Sequence, residues 1–426
     1  MSKQNEQEFW TNVKLQYRQS KRAMLAYYVI LTLVFIAVFA SFLANDKPIF
    51  VIDEGKWMFP VVTEYFSDWN PSSSPIGKYR QDWKNDNFDF IIRTPIPYSP
   101  ANQDLTNEYI GPFAGQEVKS TFWRHWLGTG YLGRDIAAAM IYGTRIALSI
   151  GLIAMSIAGF IGILLGSLAG FFGDDRLYLS RASVLLSLPI GFFAFFYAFI
   201  ARHYTLFETE GSGFLAILAQ WLLSLIIFLG IIGIGYLISK VLKSIPILKQ
   251  KIRIPLDLFI SRIIEIFTAV PTIIFVLAFA SVVKKASVFN IMLIIGLVSW
   301  TGIARFIRGE LLRIRSLSYI EAARALGFSQ WRVMFRHAIP NGLSPVLIAI
   351  AFGIAAAILV EATLSFLGIG VSADSQTWGA ILHQSKSRTL DWWLAVVPGF
   401  AIFVTVTCFN LIGEGLTDAL DPKLRK

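Results

Sequence analysis

"SLSYIEAARALGFSQWRVMFRHAIPN", residues 316–341, is a polar stretch between two long apolar runs, and it carries Glu321, Arg324, Arg332 and Arg336. Ser318 and Glu321 stand at the spacing of a capping box, in which a serine and a glutamate three residues on satisfy each other's backbone donors. The helix this predicts covers 319–326. Gly327 then stands where a left-handed residue ends a helix without steric cost. Ser329 is placed to cap a second helix reaching His337, and Pro340 is expected to stop it. The expectation is therefore a short helix, a glycine corner and another short helix, with Ala322, Ala323, Leu326, Trp331, Val333 and Met334 as apolar contacts. Two roles suit such a segment: lying on a lipid surface, as amphipathic helices do, or docking on another protein. The small pair Ala322–Ala323 beside a glycine corner favours docking, because a membrane-facing helix gains from bulky residues there.

The rest of the chain explains the contrast. Of 426 residues, 55% are hydrophobic and only 15% charged, against about a quarter charged in a soluble domain. Mean hydropathy is +0.58. These values define a polytopic membrane protein. The formal charge of +10 does not point to nucleic acid: no basic stripe interleaved with aromatics occurs in a soluble stretch, and basic residues of membrane proteins gather in cytoplasmic loops. Cys408 is the only cysteine, which excludes an intrachain disulfide and a cysteine metal cluster. The polar head before the first apolar run is too long for a cleavable signal peptide, so that run reads as a retained span.

A span needs roughly 20 apolar residues. Runs at 24–43, 145–171, 184–202, 214–242, 263–283, 289–307, 345–367 and 393–412 make an expected total of eight. Gly162, Gly166 and Gly170 fall on one helix face, the spacing that lets helices approach closely in lipid. With eight spans, the basic N-tail (Lys14, Arg18, Lys21, Arg22), the loop holding Lys240 to Arg253, the opening stretch and the C-tail share one side, the cytoplasmic one. Lys284 and Lys285 run against this rule. Residues 44–135 form an extramembrane segment on the outer side, with Trp57, Phe59, Tyr65, Trp69, Tyr79 and Trp83 enough for a small packed lobe of strands and turns.

Here the residues carry a likeness. "EAARALG" followed by "RHAIPN" resembles the EAA loop of permease subunits of bacterial ATP-binding-cassette importers, matching at Glu321, Ala322, Ala323, Gly327, Ile339 and Pro340, with Arg336 in the same run. "WLGTGYLGRDIAAAMIYGTRIALSIGL", with Gly128, Thr129, Gly133, Arg134 and Asp135, resembles the opening of the core in the C-type subunit of dipeptide and oligopeptide permeases. "LVEATLSFLGIGV", "TWGAIL" and "FNLIGEGLTDALDPKLR" resemble that subfamily's last two spans and tail. The likeness implies the all-α fold of type I importer permeases and places the EAA loop, at 309–341, on separate ATPase subunits. It further implies two such ATPases carrying the ATP and magnesium, a second permease subunit, an extracytoplasmic substrate-binding protein, and peptides as cargo. The bacterial inner membrane is the implied location. The chain then divides into an N-tail 1–23, a first span 24–43, an outer segment 44–135, a core start 136–171, an insertion 172–254 with two added spans, the remaining core 255–416 and a C-tail 417–426.

Three departures from the subfamily stand out. Gly130 replaces an aspartate common after Gly-Thr; the outer segment is longer than usual, as in microcin-type peptide importers; and residues 174–254 are inserted. The Gly-Lys pairs at 55–56 and 77–78 lack the earlier glycine of a phosphate loop. His125, His203, His337 and His383 are scattered and read as loop or interface residues, not as metal ligands. No nucleophile elbow or acid pair suggests an enzyme. Glu361, inside a span, reads as facing a bundle interior, with a structural role implied by the likeness, and Glu265 as a partner of Arg262. Competing readings are an ion-gradient-driven transporter or channel, which calls for buried mid-span charges or mirrored broken helices, and an importer permease for nickel or another small solute.

Overall fold

The helix Ile136–Phe172, 37 residues long, spans about 55 Å at 1.5 Å per residue, well beyond the thickness of a hydrocarbon core. It anchors a mainly helical protein, seen in a computed structural model that describes residues 3–53, 55–67, 83, 88–207, 214–282, 287–369 and 376–420. Two units are present: residues 1–50, 90–171 and 259–426 form the first, and 51–89 with 172–258 form the second. Trp69, Tyr79, Lys284, Lys285 and the tail 421–426 lie outside the described residues.

In the first unit the long helix packs through its glycines. A Cβ placed on Gly162, Gly166 or Gly170 would come within 2.8, 2.4 and 2.5 Å of the carbonyl oxygens of Trp300, Ala304 and Arg308. The helix Val288–Ile314 thus lies backbone to backbone against it, the close approach that small residues permit in lipid. Ser344–Leu367 and Trp393–Leu420 complete the bundle, with Lys21–Val38 beside the last of them. Arg145 reaches across from the long helix and donates from Nε to the carbonyl of Ala37 at 2.8 Å, satisfying an orphan acceptor at the end of the first span.

Seven described helices are long and apolar enough to cross a membrane, and an eighth candidate is a bent pair. The single span expected over 263–283 is instead two helices, Leu256–Ala269 and Thr272–Val282, meeting at 83°. The cause is Pro271: it offers no N–H to the helix and forces Val270 out of helical geometry. Phe267 stacks on Phe275 (5.4 Å between centroids) and meets Trp300 edge-on at 5.6 Å, which holds the bend.

The second unit carries the added spans. Strands Tyr178–Ser180 and Lys251–Arg253 pair antiparallel, with Ser180 opposite Lys251. Ser180 caps the helix Arg181–Phe195, its hydroxyl accepting from the Ser183 amide at 3.3 Å. The helix continues as a wide turn over Phe196–Ile200 and packs on Phe214–Leu242. In the same unit, Gly55 (φ +76°) turns a hairpin between Phe50–Asp53 and Lys56–Met58. The aromatics expected to pack a lobe there divide: Trp83 is buried and stacks on Phe88, but Trp57 is 72% exposed and Phe59 is also exposed. A three-residue strand has too little apolar surface beside it to cover an indole.

Candidate functional site

The segment 316–341 folds as an elbow. Tight turns lead straight out of the preceding span, with the Ser316 and Leu317 amides bonding to the carbonyls of Arg313 and Ile314. Helix Ser318–Ala325 therefore starts one residue early, capped by Leu317 without a side-chain bond. The expected capping box is not formed, because Ser318 is already inside the first turn and its hydroxyl stands at the wrong position. Gly327 does adopt φ +79°, and the Phe328 amide returns to the Ala323 carbonyl at 3.3 Å. Ser329 caps the second helix, accepting from the Arg332 amide at 3.3 Å.

Pro340 does not end that helix. Gln330–Val333 runs into a wide turn, Met334–Ala338, and then into Ile339–Gly342 with Pro340 in its first turn. The wide turn, closed by the Ile339 amide on the Met334 carbonyl, precedes Pro340 and accommodates a residue that has no amide to donate.

The elbow has two faces. Ile320, Ala323, Val333, Met334 and Ala338 are buried. Glu321, Ala322, Leu326, Gly327, Trp331 and Arg336 are exposed. The small pair therefore splits, Ala323 packing inward and Ala322 facing out. Phe328, Arg332, Arg336 and His337 line a cleft on the exposed side. The Phe328 and His337 rings lie parallel at 6.4 Å, and the Arg332 guanidinium sits 5.8 Å from the Phe328 centroid. Burial lifts the Tyr319 hydroxyl above its ordinary range, against the opposing charge of Arg313.

At the other end of the long helix, Gly128, Thr129, Gly133, Arg134 and Asp135 come together in a knot. Asp135 caps the helix, its Oδ1 accepting from the Ala138 amide at 2.7 Å, while Oδ2 lies 2.8 Å from Nδ1 of His125. His125 is fully buried and its Nε2 is 3.3 Å from Asp104 Oδ2. Burial pushes the Asp104 carboxyl up, but hydrogen bonds from Thr106, Asn107 and His125 outweigh it and hold the group below the usual carboxylate range. The Thr129 hydroxyl accepts from the Ile110 amide and donates to the Asn107 carbonyl. The Trp393 indole donates to the Thr129 carbonyl at 3.0 Å. Gly128 (φ +78°) and Gly133 (φ +66°) have no room for a side chain: a Cβ would meet the carbonyls of Ile110 and Asp104. Arg134 takes part through its carbonyl, which accepts from the Gly130 amide. His125, read from sequence as one scattered histidine, is the centre of this knot.

Gly130, where subfamily members often have aspartate, faces Gln384. A Cβ at 130 would lie 2.6 Å from Gln384 Oε1, which accepts from the Tyr131 amide at 3.0 Å. Glu361 is buried and bound by hydroxyls, Ser365 Oγ donating to Oε1 at 2.7 Å and Thr377 serving as a second partner. Arg262 and Glu265 form the expected pair at 2.5 Å, on an exposed face.

Apolar helices in this number, interrupted by a polar elbow with an exposed face, define a multi-pass membrane protein. Residues 245–426 match the family of binding-protein-dependent transport system inner membrane components. The chain is 29% identical over 302 residues to a glutathione transport system permease protein of Pectobacterium atrosepticum, covering 71% of this chain and 73% of that protein. It is 24% identical to a peptidoglycan transport system permease protein of Agrobacterium fabrum over 97% of this chain and 92% of the relative. A dipeptide transport system permease protein of Alkalihalophilus pseudofirmus is 28% identical over 77% of this chain and 78% of its own length.

Proposed function

We propose that this permease carries peptides, or compounds built on peptide bonds, into the cell as one subunit of an ATP-driven importer. The elbow carries this reading: Glu321, Ala322, Leu326 and Gly327 stand exposed over the buried pair Ile320 and Ala323, between two packed spans. That arrangement offers a rigid protrusion of small and apolar residues to a groove on a separate ATPase. Glu321, Ala322, Gly327 and Arg336 form the docking face, whereas Ala323 and Pro340 shape it. Relatives named for glutathione, peptidoglycan and dipeptide transport support the substrate class.

In this reading both termini and the elbow are cytoplasmic, as the basic residues of the N-tail and loops favour. Two ATPase subunits hold ATP and magnesium. A second permease completes the pathway, and an external binding protein delivers cargo to the outer side. Nucleotide biases the inward-open and outward-open states only through its differential affinity for them. Glu361 and the knot around Asp135 hold helices in place.

Affinity capture of the detergent-solubilised chain tests the proposal. An ATP-binding-cassette ATPase should co-purify and be lost when residues 321–327 are replaced by a Gly-Ser linker. Labelling of Ala322→Cys in a Cys408→Ser background should require a membrane-permeant reagent from outside. Labelling by an impermeant reagent in intact cells would end the reading.

A further inference from the structure

We infer that Arg324 is the positioning residue through which movement of the elbow enters the long helix Ile136–Phe172. Its guanidinium carbon lies 5.2 Å from the centroid of Phe171, and Nη1 donates to the Arg315 carbonyl at 3.4 Å. Phe171 is fully buried. One side chain thus joins three segments: the first elbow helix, the turn that follows the Val288–Ile314 helix, and the inner end of the long helix. Arg332 offers the contrast, since its ring partner Phe328 belongs to the elbow itself and transmits nothing to another element.

A guanidinium over an aromatic face is attracted by the ring quadrupole, and the attraction grows when the pair is removed from water. Its planar group also fixes direction, which an ammonium does less well. Beyond Phe171 the rod is continuous. The Gly162, Gly166 and Gly170 contacts leave no slack against the neighbouring helix, and the far end is held by Asp135 and His125. Packed interiors transmit strain because they deform little. Displacement of the elbow therefore reaches the outer knot as a rigid shift of this helix. The inference rests on the proposed docking of the elbow on an ATPase; Arg324 itself lies behind the docking face.

The test uses the complex of this chain with its co-purifying subunits in liposomes. A spin label at Tyr131→Cys, in a Cys408→Ser background, reports the ATP-driven change in mobility and solvent access at the far end of the helix without any need for cargo, and a wild-type label that ATP leaves unchanged overturns the inference. Arg324→Leu should retain ATPase capture and ATP hydrolysis while the population that shifts falls about tenfold, the scale of a desolvated cation–π contact. Phe171→Leu should do the same, Arg324→Leu/Phe171→Leu should be no worse than either alone, and Arg324→Lys should restore part of the shift. A full shift in Arg324→Leu or in Phe171→Leu overturns the inference. Loss of the ATPase from Arg324→Leu overturns it too, by making the residue a docking contact. A wild-type chain that captures no ATPase would remove the proposed function and this inference together.

Discussion

The Val288–Ile314 helix of the first unit and the two long helices of the second share an apolar character but differ in packing. In the first unit the Val288–Ile314 helix buries 61% of its most apolar window, whereas the two long helices of the second unit bury 11% and 17%. Glycine shows the difference most directly. Gly162, Gly166 and Gly170 press on backbone carbonyls, while Gly230 and Gly233 have nothing within 4 Å of a built Cβ. In lipid no hydrophobic force drives helices together, so close contact has to come from shape. The pair Ile136–Phe172 and Val288–Ile314 has that shape; the two long helices of the second unit meet more sparingly, as where Gly235 faces Ile190.

The largest expected effect breaks this contrast at its centre. Gly166→Leu forces a side chain into the Ala304 carbonyl and should destabilise the bundle by more than the ~1–3 kcal/mol typical of overpacking, whereas Gly230→Leu should be neutral. Thermal unfolding in detergent with a fluorescent reporter decides it; equal stability of the two variants would remove the distinction. Next comes Gly327→Val. A β-branched residue at φ +79° is strained by about 1–2 kcal/mol, so the second elbow helix should be misdirected. ATP hydrolysed per peptide transported should rise several-fold at normal protein levels, an effect on coupling and not on insertion.

A smaller effect concerns the knot around His125. Because the Asp104 carboxyl is held below its unfolded value, its contribution to stability is present above about pH 4 and is lost as pH falls through the folded pKa. Protection factors of residues 100–135, hydrogen-exchange rates taken against the intrinsic rate at each pH, should therefore fall in acid in the wild type, and Asp104→Asn should flatten that dependence. The least effect is expected from excision. Since Ser180 lies opposite Lys251 in the strand pair, replacing 181–250 by Asn-Gly closes a two-residue hairpin, which that turn favours. An even number of spans is removed, so the tail should keep its side of the membrane and the rest its thermal stability.

Which features could be read from the sequence follows from how local they are. Apolar length marked most spans, and the φ of Gly327 and the cap at Ser329 follow from neighbours a few residues away. The broken span was written in Pro271, but an apolar window averages over a proline and misses it. The capping box failed because the helix start was set by turns at Arg313 and Ile314, upstream of the motif. His125 meets Asp104 and Asp135 across separations of 21 and 10 residues, at no helical or strand period. Composition gives no hint of such a meeting; only the folded loop brings the three together.

The contact between Gly130 and Gln384 carries a rule for exchanging residues among relatives. An acidic side chain at 130 and the long amide at 384 claim one volume, so they are alternatives. A graft of aspartate at 130 alone should leave the Tyr131 amide without its acceptor and unsettle the loop, while the same graft with a short residue at 384 should be tolerated. Across sequences aligned on this chain, the two positions should vary in concert.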